Sequence, residues 1–419
     1  MSEIKKIELN NQPSLFDDKV QMITAFLAQH YDIKVPIQDP SKMQIICKDK
    51  NRYRFPPSFD DISLHLLSEG ISISDTQLRK ILRSPNQIAP VNPIEEYFDK
   101  IRGTWTGKSQ IDLLCEHIYP RKFEDRPNGF YRDRTDKFIR KWLVACVACW
   151  IGGEPNDVSF GLVQSVGGSG KTFLTHFLLP NELKEFYVMA SKDERKFDIE
   201  DAYVRYMLVN FEELNGINKG SINTFKAAQS AKYITTKMRH EEFPTAKKRI
   251  GCSVFSTNFN QENGGFIQPF YGSDTRRFGI IELDGIDQSY SRKIDIDQLW
   301  SEALTLYESN SFNYRFEKVD YNDFNEYNTR YKFETDAMRY MQMYITSPLP
   351  GEAGENMTPT QILQRLMQHR RIKSEDMRQM TPQKIGLALN ALGYEKITYR
   401  SPDHNNEPRS GYNIKFLEY

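Results

Sequence analysis

The densest chemical signal in the chain is Gly161-Leu162-Val163-Gln164-Ser165-Val166-Gly167-Gly168-Ser169-Gly170-Lys171-Thr172-Phe173-Leu174. Glycines at this spacing let the backbone curl until successive N–H groups point inward, which is the chemistry of a phosphate cradle. Lys171 would reach the β and γ phosphates of a nucleotide as a point charge, and the Thr172 hydroxyl would hold Mg²⁺. Ser165, Gly167, Gly168, Ser169, Gly170, Lys171, Thr172 and Phe173 are therefore the expected nucleotide-binding residues. A phosphate loop of this kind has Gly at its first position; here Ser165 stands there. The apolar run Phe160 to Val163 predicts a buried strand before the loop, and Phe173 to Leu179 predicts the helix after it.

Three further stretches complete a constellation. Tyr206 to Leu214 is an apolar run ending in Glu212-Glu213, as a buried parallel strand would deliver carboxylates to its C-terminal edge. Glu212 is assigned the metal role and Glu213 the base that polarises the attacking water of an ATP hydrolase. Ile250 to Asn258 is a second apolar strand, and Asn258 at its end could touch the γ-phosphate without adding negative charge. Arg276-Arg277 precede the apolar residues Phe278 to Ile281; planar guanidinium groups suit phosphate recognition, and one of the two could act in a neighbouring subunit as an arginine finger.

Those residues have to be positioned by a sizeable fold. The 419 residues suffice for two or three domains, and Lys+Arg and Asp+Glu both count 56, so any nucleic-acid surface must be local. Five cysteines in apolar contexts argue for a reducing compartment and against a disulfide scaffold; Cys146-x-x-Cys149 sits in a hydrophobic helix with no second ligand pair, so core packing is expected. The charged start lacks a signal-type apolar stretch, no run is long enough for a membrane span, and a cytoplasmic location is expected.

In chain order, residues 1–91 form a small accessory region: a polar lead-in to about residue 18, a helix over 21–29, a strand over 43–47, and helices over 59–67 and 75–82, the last capped by Ser74. It carries no paired carboxylates of a polymerase type. Pro90-Val91-Asn92-Pro93 marks a boundary. Residues 92–345 form a helical layer (94–101, 110–118, 136–150) attached to the nucleotide-binding core, closed by helices over 296–307 and 321–343. The Pro/Gly-rich segment 346–356 reads as a linker. In 357–419, helices to Met367 and Leu392 and strands over 396–400 and 412–416 read as a winged helix, with Lys384, Arg400 and Arg409 as possible phosphate contacts.

The order and spacing of these segments resemble the virulence-associated protein E family, P-loop ATPases related to superfamily 3 helicases of prophages and mobile elements. The resemblance spans roughly Asn92 to Asp284: Asn92-Pro93, the Trp142 helix, the phosphate loop, Glu213-Leu214, Phe225-Lys226, Ser256-Thr257-Asn258 and Arg276-Arg277-Phe278. The family's loop begins with Gly where Ser165 stands, and an acid often occupies the position of Asn210. The resemblance implies an α/β, AAA+-like P-loop core with a parallel sheet, ATP and Mg²⁺ as cofactors, a homo-oligomeric hexameric ring, and movement along single-stranded DNA, with duplex at an origin as a further partner. It also implies a channel-lining hairpin between the acidic and Asn strands, where Lys226, Lys232, Lys237, Arg239, Lys247, Lys248 and Arg249 alternate with Tyr233 and Phe243. A replicative DNA helicase of a mobile element is the expected function. Its rivals are a regulatory or anti-phage defence NTPase that moves along nothing, and a scaffold with a degenerate nucleotide site.

Overall fold

A computed structural model describes residues 15–190, 197–214, 217–237, 241–263, 265–268, 271–272, 274–349, 351–368, 380–400 and 407–417. The first unit contains α1 (Leu15–His30), the hairpin β1 (Tyr31–Lys34) and β2 (Gln44–Cys47), α2 (Phe59–Ser68) and α3 (Asp75–Arg83). Ser58 with Asp61 and Ser74 with Gln77 form capping boxes that fix where α2 and α3 begin. Their apolar faces meet α1 in a core of Ile23, Leu27, Tyr31, Ile62, Leu66, Leu78 and Leu82. Helix α1 begins at Leu15, ahead of the expected start at residue 21, and β1 was missed because four residues without strong alternation give no strand signal.

The centre is a six-stranded sheet in the order β3-β10-β4-β9-β6-β5: β3 (Ile118–Pro120), β4 (Ser159–Val163), β5 (Tyr187–Met189), β6 (Leu208–Asn210), β9 (Cys252–Thr257) and β10 (Phe278–Ile286). Five strands are parallel; only β3 runs antiparallel, on the β10 edge. Buried on both faces, β4 and β9 carry continuous runs of buried residues instead of alternation. One face is covered by α4 (Pro93–Ile101), α5 (Gln110–Glu116), α6 (Phe130–Val147) and α11 (Ile296–Glu308), with Trp142, Trp150 and Trp300 at the centre of that core. The other face meets α8 (Ile199–Arg205) and α9 (Ile222–Ser230) through Phe211, Phe225, Phe255 and Phe278.

Several boundaries differ from expectation. The helix expected to run to Ile118 stops at Glu116, because Ile118–Pro120 pair with the β10 edge, a long-range contact no local pattern announces. Helix α6 starts at Phe130, where Gly129 turns the chain at φ 91°, and yields at Ala148–Gly152 to a π turn. The helix expected over 321–343 is two: α12 (Lys318–Asn328) and α13 (Asp336–Tyr344). Between them the Tyr331 carbonyl accepts from the N–H groups of Phe266 and Ile267, which ties that segment to the sheet domain. Cys146 and Cys149 are buried free thiols whose titration is pushed upward by burial, in keeping with a packing role.

The last unit contains β11 (Ile345–Thr346), β12 (Glu355–Met357), α14 (Pro359–Met367), α15 (Pro382–Ala391), β13 (Lys396–Arg400) and β14 (Pro408–Phe416). Strand β14 starts at Pro408, earlier than the expected Tyr412, and pairs with β13, β12 and β11. The segment read as a linker thus contributes strands at both ends. The core of this unit reaches back to Ala337, Met341 and Ile345, which pack with Ile362, Leu366, Ile385, Leu389, Tyr412 and Ile414. A chain ending at Ser347 is therefore expected to expose the α13 apolar face, and to melt lower and aggregate more than a chain ending at Phe333. Thermal unfolding with light scattering on the two truncations checks this, and equal behaviour would assign α13 to the sheet domain.

Candidate functional site

Strand β4 ends at Val163, and Gln164–Gly170 turn the chain into α7 (Lys171–Phe177). The turn depends on Gly168 and Gly170, which hold φ of 73° and 86°, a conformation that costs other residues strain. Ser165 lies outside the positive-φ residues, so a side chain is accommodated where the usual loop has glycine. Helix α7 starts two residues before the expected Phe173.

Lys171 is 7% exposed, and its ammonium donates to Asn258 Oδ1 at 2.9 Å, Ser169 Oγ at 3.0 Å, and the Gln164 and Val166 carbonyls at 3.3 and 3.4 Å. Burial lowers its pKa, while the Glu212 carboxylate opposes that shift from a distance. Thr172 Oγ1 donates to Glu212 Oε1 at 3.2 Å and lies 3.4 Å from Ser256 Oγ. The parallel sheet explains the convergence: Lys171, Glu212 and Asn258 follow the carboxyl ends of β4, β6 and β9, where open α/β sheets gather ligand-binding groups.

Glu212 and Glu213 do not lie on a strand. They form a tight turn after β6 in which Glu213 and the following Leu214 have φ of 52° and 56°. Left-handed backbone at a non-glycine residue costs about 1–3 kcal/mol, and two in succession place local strain directly at the carboxylates. Glu213 is exposed, and Phe173 is 51% exposed at the first turn of α7.

Sequence reasoning missed the layer behind these groups. The Tyr187 hydroxyl, on β5, receives a hydrogen bond from Asn210 Nδ2 at 2.8 Å and lies 3.1 Å from Thr175 Oγ1. It thereby links the ends of β5 and β6 to α7. Ser256 was visible as part of Ser-Thr-Asn, but nothing local marks Tyr187, which topology alone brings to this site.

Arg276 and Arg277 lie elsewhere. They occupy a turn before β10 rather than the strand itself, and Phe278 pairs with Ser159 at the amino end of β4. The length of β4, about 16 Å at 3.3 Å per residue, separates them from the Lys171 edge. Arg277 donates to the Lys226 carbonyl, whereas Arg276, 44% exposed, lies 3.3 Å from Asp274 and over the Tyr321 ring. The expectation that adjacent strand positions send the two guanidinium groups to opposite faces does not apply in a turn.

The hairpin β7 (Tyr233–Thr236) and β8 (Thr245–Lys248) stands between α9 and β9. Lys232 and Lys237 are exposed, as are Tyr233 at 67% and Phe243 at 73%. Lys247 pairs with Glu241 at 2.5 Å. Lys248 turns inward onto the Trp150 and Ile151 carbonyls at 3.2 and 3.3 Å, and Arg249 is buried; both brace the hairpin base and so leave the expected basic surface. Arg239 lies outside the described residues. Lys384 is exposed on α15, Arg400 ends β13, and Arg409 faces Tyr399 across the β13–β14 pair.

Sheet, turns and converging side chains define a mixed α/β protein with a mainly parallel sheet. The virulence-associated protein E-like domain matches residues 104–333, more than half of the sequence, and the chain belongs to that family. No curated protein matches it. Among solved structures, it is similar to the apo structure of the NrS-1 C-terminal region (305–718), at 11% identity and a TM-score of 0.44, over 95% of this chain and 99% of that one. An A form of the same region gives 11% identity and a TM-score of 0.44, over 96% of this chain and 100% of that one. A further A form gives 10% identity and 0.43, over 95% and 100%. Among the described residues no helix is long and apolar enough to cross a membrane.

Proposed function

We propose that this protein is an ATP hydrolase of the AAA+-like P-loop class, working as a DNA helicase or translocase in the replication of a mobile element or prophage. The observation that carries the reading is the meeting of Lys171, Thr172, Glu212 and Asn258 at one sheet edge behind a two-glycine turn. Lys171 exchanges its present acceptors for the β and γ phosphates, and the turn's backbone N–H groups hold them. The Thr172 hydroxyl and Glu212 carboxylate offer hard oxygen donors, the set Mg²⁺ takes when it keeps several waters and leans on substrate phosphates. A bound Mg²⁺ would neutralise charge on the phosphates. Glu213 accepts the proton of the attacking water, and Asn258, held by Lys171, orients that water or the γ-phosphate.

Arg276, too far from its own site, serves the next subunit of a ring, for which we take a hexamer as the working assembly. The Lys232, Tyr233, Lys237 and Phe243 hairpin grips single-stranded DNA, and the last unit, read as a winged helix, adds phosphate contacts through Lys384, Arg400 and Arg409.

Single-stranded DNA is expected to stimulate ATP turnover. Tyr233→Ala with Phe243→Ala should leave basal turnover intact and raise the DNA concentration for half-stimulation roughly tenfold or more, since a stacked base is worth about 1–3 kcal/mol. Turnover indifferent to DNA in the unsubstituted protein would instead favour a regulatory or defence NTPase.

A further inference from the structure

Most arginines and lysines around the sheet are held by acids: Arg121 by Glu282 at 2.7 Å, Arg134 by Asp323 at 2.7 Å, and Lys141 by Asp320 at 2.7 Å. The first unit departs from this habit. Lys50, Arg52 and Arg54, on the loop between β2 and α2, are exposed, and none has a carboxylate partner among the described residues. The same holds for Arg79, Lys80 and Arg83 on α3. These three are fixed outward because Leu78, Ile81 and Leu82 turn the opposite side of α3 into the core. With Thr76 and Ser84 they line a surface groove of about 390 Å³.

The two basic runs adjoin. The Tyr53 hydroxyl donates to the Asp61 carbonyl at 3.3 Å, which folds the loop back over the start of α2. The Arg79 guanidinium lies 4.3 Å over the ring of Phe59, the first residue of α2. Phe55, 72% exposed, stands in the loop with Arg54 5.6 Å from its ring centroid. Six uncompensated cations on one small unit repel one another, and a polyanion relieves that cost. A large open ring among them has no packing role. Cationic groove and open aromatic together are the parts of a single-strand platform, in which phosphates follow the charges and a base stacks on the ring.

We propose that the first unit is a single-stranded nucleic-acid-binding surface, with phosphates along Arg79, Lys80, Arg83, Arg52 and Arg54 and a base on Phe55. This site is separate from the hairpin and the last unit, and it binds without nucleotide. Its test is fluorescence anisotropy of full-length protein with a labelled 30-nucleotide DNA, single-stranded or as duplex, over a salt series without ATP.

The quintuple variant Arg52→Ala, Arg54→Ala, Arg79→Ala, Lys80→Ala, Arg83→Ala is expected to weaken single-strand binding at least tenfold. It should also lower the slope of log affinity against log salt by about 3, at roughly 0.7 per phosphate contact. Phe55→Ala should weaken single-strand but not duplex binding, and Phe55→Trp should restore it. Melting temperatures of the variants, all at exposed positions, show that the fold is kept. Unchanged affinity and slope in folded quintuple variant overturn the proposal. Loss confined to duplex, or a silent Phe55→Ala, overturns the single-strand assignment. Because no hydrolysis is read, failure here leaves the ATPase reading untouched, and failure of that reading leaves this one.

Discussion

Lys171→Ala should remove ATP hydrolysis, by at least about a hundredfold, while leaving the folded protein as stable as before. Deleting a single preorganised donor aimed at transition-state charge costs about 10²–10³ in turnover in a well-studied case. Here the donor is the buried ammonium on which Asn258, Ser169 and two loop carbonyls converge. That ammonium has no carboxylate within ion-pair distance and is desolvated, so its removal relieves a burial cost even as it leaves Asn258 Oδ1 short of one donor. Loss of hydrolysis with an unchanged melting temperature is thus the expected pair of results. Glu213→Gln should separate the steps differently: the amide fills the same volume but cannot accept the proton, so nucleotide binding persists while turnover stops. Measured turnover by Lys171→Ala close to that of the unsubstituted protein would remove the site from consideration.

Arg276→Ala is expected to lower turnover about a thousandfold or more while the protein still binds ATP, the scale associated with arginine fingers. Geometry selects Arg276 over Arg277, because the latter is engaged with the Lys226 carbonyl and the former is more open to a neighbour. Both stand at the amino edge of the sheet, one strand length from the Lys171 of their own chain. Activity should therefore return when Arg276→Ala is mixed with Lys171→Ala. In a head-to-tail assembly at equal amounts, about a quarter of interfaces join an intact Lys171 to an intact Arg276. The measurement is ATPase rate against mixing ratio, with light scattering to show that mixed oligomers form. No recovery at any ratio despite mixing would argue that Arg276 only braces Asp274 and Tyr321 in its own chain.

The sequence by itself marked the local parts. Apolar runs gave β4, β6 and β9 near their true limits, Ser74 and Thr358 marked helix starts, and the glycine spacing marked the turn that carries Lys171. These are properties of short windows: propensity, capping and φ > 0 are decided within a few residues. Tertiary structure alone decided what depends on distant partners. Ile118–Pro120 became a strand because β10 offered an open edge, and α13 joined the last unit because Met341 meets Ile385 and Leu389 there. Lys248, one of a run of similar lysines, was drawn inward by two carbonyls a hundred residues earlier. Tyr187 reached Asn210 and Thr175 only because β5 pairs with β6. Chemistry was legible wherever the residue type fixed it, but side-chain partners were not, because sheet order sets them and sheet order is a sum of long-range contacts.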